Sequence, residues 1–370
     1  MRWSMMSTRS SAWNVSPRRR SSRTTASRAR AGPSRSGSIY PSAIVCELGD
    51  RRLTRRLVKI ATDEAAHPGA WHTQAAGGDA HQAKACYRFL KNDAPEMNVA
   101  NLLQAHRTQT LRRCKAHPTV LVVQDTCELT LTGRAQCEGL GQTKANQTGA
   151  RTRSLNLHSS LALEAEGGLP LGVLRLHGYA PEPAQGKDPH RPIEQKESFR
   201  WIEAYQDCND IAALLPGTRV INVADREGDF FELFDWRRRQ PRGATAHLLV
   251  RAHHDRKLEG TAAKLFAEVA AAPLAAKITI AVPRQREHLA KPSAPGRPGL
   301  PAREAEVQLR YREVALAAPD TPALRGRPPL RVWAIEVREK NPPPGATAVH
   351  WIFLTTVPVI SRKQARKAEG

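Results

Sequence analysis

Two aspartates stand where chemistry could be done. Asp125 follows the run Thr119-Val120-Leu121-Val122-Val123-Gln124, and Asp225 follows Arg219-Val220-Ile221-Asn222-Val223-Ala224. Short apolar runs rich in β-branched residues read as buried central strands. In α/β sheets, sites form outside the carboxyl ends of such strands. Two carboxylates brought together there repel each other unless a cation compensates. Oxygen-only donors suit Mg²⁺ or Mn²⁺. Two such ions about 3.5–4 Å apart can activate a water or a 3′-hydroxyl and stabilise the leaving oxygen of a phosphodiester. Asp125 and Asp225 are therefore the candidate catalytic residues and metal ligands. A structural alternative stays open for each, because an Asp after an apolar strand often caps the next turn or helix. Glu227 and Asp229 flank Asp225 and either tune it or cap the following helix.

The elements that must position this pair can be read around it. Residues 1–42 are Arg- and Ser-rich and low in complexity, and a disordered basic arm is expected. From Leu48 to about His117 the pattern is helical. Asp50 caps a first helix whose apolar positions are Leu53, Leu57 and Ile60. A second helix covers roughly residues 80–91, with Ala85, Phe89 and Leu90 as core candidates, and a third covers about residues 99–116. The character changes at Pro118. The first strand is expected to end at Gln124-Asp125. Residues 157–164 and 170–177 flank a Gly167-Gly168 turn as two further strands. A helix over 195–215 precedes the Asp225 strand, with Phe199, Ile202, Tyr205, Ala212 and Leu215 at helical spacing. Another helix runs from after Asp229 to Arg239, and residues 246–251 form a strand. Beyond 252 the candidates are strands, 276–283, 304–316, 330–338 and 348–356, separated by Pro-rich loops. After Ile360 a polar, basic stretch looks like a helix start.

Charge names the class of partner. The 370 residues carry a formal net charge of +22, with nine of the arginines in residues 1–42. About +13 remains on the folded part, more than solubility requires, and a polyanion such as nucleic acid is the partner that fits. No apolar run is long enough to span a bilayer, and the basic start lacks the apolar stretch of a secretory signal. The six cysteines form no CxxC pair, so neither a zinc ribbon nor a redox motif is suggested. A reduced protein with cysteines as buried apolar fillers is the simple reading.

Other residues have functional and structural readings side by side. Arg51, Arg52, Arg55 and Arg56 either dock on a DNA backbone or groove or form a solvated helix face. Arg251, His253, His254, Arg256 and Lys257 cluster at a strand end and suit phosphate contact; a solvated loop is the alternative, and nothing nearby completes a His-His zinc site. Trp351 lies in a strand-like run, where a Trp usually belongs to the core.

The local strings also carry a resemblance. Leu48-Gly49-Asp50-Arg51-Arg52-Leu53-Thr54-Arg55-Arg56-Leu57-Val58 and Ala85-Cys86-Tyr87-Arg88-Phe89-Leu90-Lys91-Asn92 resemble the helical end-binding domain of the transposon-five-like transposases, in the insertion-sequence-four family. Gln124-Asp125-Thr126 resembles that family's first catalytic Asp segment, and Ala224-Asp225-Arg226-Glu227-Gly228-Asp229 its second. Lys196-Glu197-Ser198 with Trp201, Leu249-Val250-Arg251, Pro342-Pro343-Pro344-Gly345 and Val349-His350-Trp351 follow in order, so the resemblance covers about residues 44–360.

The resemblance implies an α/β fold: an RNase H-like mixed sheet with flanking helices, interrupted by a β-rich insertion and preceded by a small helical DNA-binding domain. It sets a basic arm over 1–43, the helical domain over 44–117, the core over 118–252, the insertion over 253–357 and the start of a further helical segment over 358–370. It also implies a bacterial, nucleoid-associated DDE transposase that holds two Mg²⁺ or Mn²⁺ ions. Its partners would be double-stranded DNA, both transposon ends and target, and a second copy of itself. Arg251 would contact end DNA, Trp351 would stack on a flipped base, and Glu197 and Glu227 would support the metal ligands. The third carboxylate is expected in a Tyr-x2-Arg-x3-Glu-x6-Lys pattern about 28 residues past Trp351, near position 379 and beyond Gly370. A truncated copy, cutting slowly or only binding ends, is the expectation drawn from that departure. An RNase H-like nuclease is a weaker rival.

Overall fold

The structure is a computed structural model, and it describes residues 48–133, 136–142, 152–181, 188, 190–241, 245–285, 287, 296 and 299–359. The basic arm of residues 1–43 and the stretch after Ile360 lie outside these. The chain divides into two compact units between Gln109 and Thr110.

The first unit is helical. Asp50 accepts a hydrogen bond from Arg52 N and starts α1 (Arg51–Ala66); such a cap contributes about 1 kcal/mol. A short α2 (His72–Ala75), unforeseen in the sequence, precedes α3 (Ala80–Leu90), which Asp79 caps. The fourth helix, α4 (Val99–Cys114), begins in this unit. Leu53, Leu57 and Ile60 pack with Met97 and Leu102 against buried Leu48, Phe89 and Ala105. Leu90, expected in this core, is instead 56% exposed. It sits 100° around the helix from Phe89, and the inward face of α3 is set by Cys86 and Phe89, three residues apart.

The second unit is built on one mixed sheet. Strand β1 (Thr119–Thr132) does not stop at Asp125 as expected but continues to Thr132. Its antiparallel neighbour explains this: β3 (Thr152–Glu164) pairs with it from Val120↔Glu164 to Thr132↔Thr152, supplying ladder bonds past the apolar stretch. A short β2 (Gly141–Gln142) also lies on β3. The chain then turns through Gly168, whose φ of +70 suits glycine, into β4 (Pro170–Tyr179). Helix α5 (Phe199–Leu214) starts four residues later than expected, after a 3-10 turn at Ile193–Gln195. Next come β5 (Arg219–Ala224), α6 (Phe231–Arg239) and β6 (His247–Arg251). The remainder supplies α7 (Leu265–Ala270), β7 (Leu274–Val282), β8 (Arg303–Leu316), β9 (Leu330–Glu339) and β10 (His350–Thr355).

The sheet order is β2-β3-β1-β5-β6-β10-β9-β8-β7, with β4 also on β3. The neighbours β1, β5 and β6 run parallel. The strands after residue 252 do not form a separate layer, because β10 pairs with β6 and continues the same sheet. One face is covered: Val120, Val122, Val220, Leu248 and Val250 pack with Trp201, Ile202 and Tyr205 of α5 and Phe234 of α6. On the other face lie Leu121, Val123, Ile221, Val223 and Leu249. Such burial on both faces explains why these strands read as continuous apolar runs. Cys86, Cys114 and Cys208 fill core positions, but Cys137 is exposed and Cys127 half-buried, so the filler reading fails for those two. Among the described residues, no helix is long and apolar enough to cross a membrane. The architecture is the mixed α/β sheet with flanking helices and a helical amino-terminal region that the sequence implied.

Candidate functional site

Strand register brings the two aspartates together. In the parallel pair, Thr119 lies opposite Arg219 and Val123 opposite Val223. The ladder ends at that pair, and Asp125 and Asp225 each lie two residues beyond it. Side chains alternate along a strand, so both belong to the face of Leu121, Val123, Ile221 and Val223. Asp125 Oδ1 accepts from Thr126 N at 2.9 Å. Asp225 Oδ1 accepts from Glu227 N at 2.8 Å and caps the 3-10 turn Arg226–Gly228.

Electrostatics reports the same proximity. Burial pushes the Asp125 carboxyl up to about 6, aided by the negative charges of Asp225 and Glu227 and opposed by the Thr126 N–H. Asp225 and Glu227 thus lie near enough to Asp125 to raise its proton affinity, and carboxylate oxygens are the donor type that suits a hard divalent cation. Among the described residues, no group of three or more His, Cys, Asp or Glu side chains is arranged to hold a metal ion. Asp125 and Asp225 are thus two neighbouring carboxylates.

Arg200, in the first turn of α5, ties the two aspartate segments to each other. Its Nη2 donates to Glu227 Oε2 at 2.7 Å, and its Nη1 to the Glu197 carbonyl at 2.6 Å. Its Nε donates to Thr126 Oγ1 at 3.3 Å. Thr126 Oγ1 in turn lies 2.7 Å from His158 Nδ1. Burial first, then the charges of Arg200, Arg175 and His177, push His158 down to about 3, so its ring is neutral near pH 7. The ring's tautomer sets which of the two groups donates in this contact. Glu197 is itself near this group, with Oε1 3.5 Å from the Tyr179 hydroxyl and from Arg200 Nη1. Arg200, His158 and Tyr179 had no signal of their own in the sequence. They meet only through the pairing of β3 and β4 and the docking of α5.

Asp229 does something other than cap a helix. No side chain caps α6, whose N-cap is Phe230. The buried Asp229 carboxylate instead accepts His253 N at 2.6 Å, His254 N at 2.9 Å and Arg256 Nη2 at 2.6 Å. It fixes the loop after β6, and Arg256 belongs to that lock.

The predicted DNA-contacting residues fall in two places. Arg51, Arg52 and Arg55 are exposed on α1, whereas Arg56 donates to Gln82 Oε1 at 2.7 Å. In the sheet unit, Ala224 pairs with Val250, so Asp225 is followed across the sheet by Arg251, which pairs with Phe353 of β10. Asp125, Asp225, Arg251 and Phe353 thus form one row over four adjacent strands on one face. The Arg251 guanidinium lies 6.0 Å from the Trp351 ring centroid, and Trp351 sits 6.4 Å from Phe353. Trp351 is half-buried, so part of its ring is accessible. His253 and His254 are exposed, with ring centroids 4.7 Å apart, and Lys257 is exposed. Residues 44–94, which include α1, α2 and α3, match the family model described as transposase DNA-binding. DNA is the partner this match supports for the helical unit.

Proposed function

We infer that this chain is a DDE-type DNA transposase of the insertion-sequence-four kind, acting on the phosphodiester backbone at transposon ends. The observation that carries the reading is the nearness of Asp125 and Asp225, each two residues past the Val123–Val223 pair of two adjacent parallel strands, in a chain whose residues 44–94 match a transposase DNA-binding family. The strand order β4-β3-β1-β5-β6, with β1, β5 and β6 parallel, supports an RNase H-like core.

Asp125 and Asp225 would hold Mg²⁺ or Mn²⁺. When bound, such ions supply activation of an attacking water or 3′-hydroxyl and charge neutralisation at the leaving oxygen. The protein's own part is positioning. Asp125, held near 6, is mostly ionised at neutral pH and available as a donor. Arg200 pairs with Glu227 beside these aspartates and holds that carboxylate in place. Arg251 engages backbone phosphate, and Trp351 offers a face to a base displaced from the duplex. Arg51, Arg52 and Arg55 hold end DNA in the helical unit. Two copies would each hold one end during joining.

Cleavage of element-end DNA in Mg²⁺ or Mn²⁺, compared among the parent, Asp125→Ala and Asp225→Ala, tests this. Both changes should end cleavage and Mn²⁺ binding, the latter read by electron paramagnetic resonance, while end binding persists. A parent that binds ends and Mn²⁺ without cutting would assign an end-binding role only. Cleavage or Mn²⁺ binding indifferent to both changes would remove the metal assignment.

A further inference from the structure

The last turn of α6 carries Arg237, Arg238 and Arg239 in succession. Asp235, on the same helix, is 2% exposed, and it anchors a fan of guanidinium groups. Arg238 Nη2 donates to Asp235 Oδ1. Arg239 Nε lies 3.3 Å from Oδ2, and Arg327, arriving from the loop before β9, lies 3.7 Å from the same oxygen. Arg238 also donates to the Pro328 carbonyl at 3.3 Å, and the Arg239 guanidinium lies 5.1 Å from the Trp236 ring centroid.

One carboxylate offsets one of these three charges. The side chains of Arg238, Arg239 and Arg327 remain 34%, 49% and 43% exposed. Each guanidinium has five N–H donors, and Asp235 occupies only some of them. The result is a local surplus of positive charge on side chains that stay a third to a half exposed. Favourable interaction with the helix dipole accounts for basic residues at the end of α6. It does not account for Arg327, which belongs to a different part of the chain and converges on the same anchor.

The fan lies away from the aspartate pair. Helix α6 connects the carboxyl end of β5 to the amino end of the parallel strand β6, so its last turn lies towards the sheet edge opposite Asp125 and Asp225. We propose that Arg238, Arg239 and Arg327 form a second phosphate-binding surface for duplex DNA, read through its backbone and not its bases. Planar guanidinium forks match phosphate oxygens, and such contacts hold a duplex without selecting sequence. The proposal rests on DNA as the partner and not on the metal chemistry.

The test uses the full chain in EDTA with short fluorescent duplexes of two unrelated sequences. In Arg239→Gln/Arg327→Gln, Arg238 stays on Asp235. Both duplexes should weaken equally, and the slope of log affinity against log salt should fall by roughly 2, from about 0.9 per phosphate contact. Lys at both positions should restore the slope. An unchanged slope, or a loss confined to one sequence, would overturn the proposal. If the Gln pair does not fold, phenylglyoxal footprinting of the unchanged chain decides: duplex DNA should shield Arg239 and Arg327, and equal reactivity with and without DNA would overturn the proposal. Because every measurement is made in EDTA, failure of the metal assignment would leave these outcomes unchanged and is read separately from Mn²⁺ binding.

Discussion

Replacing Asp125 by Asn is expected to stabilise the fold at neutral and alkaline pH while ending metal-dependent cleavage. Burial, with the charges of Asp225 and Glu227, raises this carboxyl from 3.8 to about 6. That is roughly 2 pH units at about 1.4 kcal/mol each, so the ionised side chain costs the fold on the order of 3 kcal/mol. The sign follows from proton affinity. The folded state holds this proton more tightly than the unfolded state, so its contribution is complete below about pH 4 and is lost as pH rises through 6. Asn carries no charge and keeps an oxygen for the Thr126 N–H. Urea unfolding in EDTA at pH 8 should show a gain of about 2–3 kcal/mol that shrinks towards zero near pH 4. Mn²⁺ at pH 8 should stabilise the parent and not the variant. A variant whose stability gain is independent of pH, or which is less stable at both ends of the series, would refute the reasoning.

Asp229→Ala should cost about 3–5 kcal/mol in thermal or urea unfolding, because it strands the half-buried Arg256 and the His253 and His254 amides. Arg200→Ala should lower stability by about 2 kcal/mol, since its Glu227, Glu197 and Thr126 bonds all go. Arg200→Lys should recover only part, as an ammonium cannot serve three directions in one plane; full recovery would show that charge alone matters. Trp351→Ala should weaken binding to DNA carrying an unpaired base near its end by about 1–3 kcal/mol and leave fully paired DNA nearly unaffected, measured by fluorescence anisotropy.

The chain's pattern revealed most where burial is one-dimensional. The apolar runs of β1 and β5, covered on both faces, announced themselves, and the Leu53, Leu57 and Ile60 spacing marked the inner face of α1. Legibility failed where partners decide. The second half of β1 passes from half-buried to exposed and is a strand because β3 lies beside it. Helices α2 and α7, four and six residues long, have too few turns to show a period. Nothing local joins Arg200 to Thr126 and Glu227, and Asp229 looked like a cap because its true partners lie 24 to 27 residues downstream.

A row of side chains set by adjacent strands is also a ruler. Neighbouring strands lie about 4.8 Å apart, so from Asp125 on β1 to Phe353 on β10 is three spacings, on the order of 14 Å. DNA advances about 3.4 Å per nucleotide along its axis. A strand laid along the row would therefore bring a nucleotide roughly four places from one beside Asp125 next to Phe353 and Trp351. That offset is fixed by backbone ladders rather than by loops, so it should resist side-chain substitution and move only when a strand changes register.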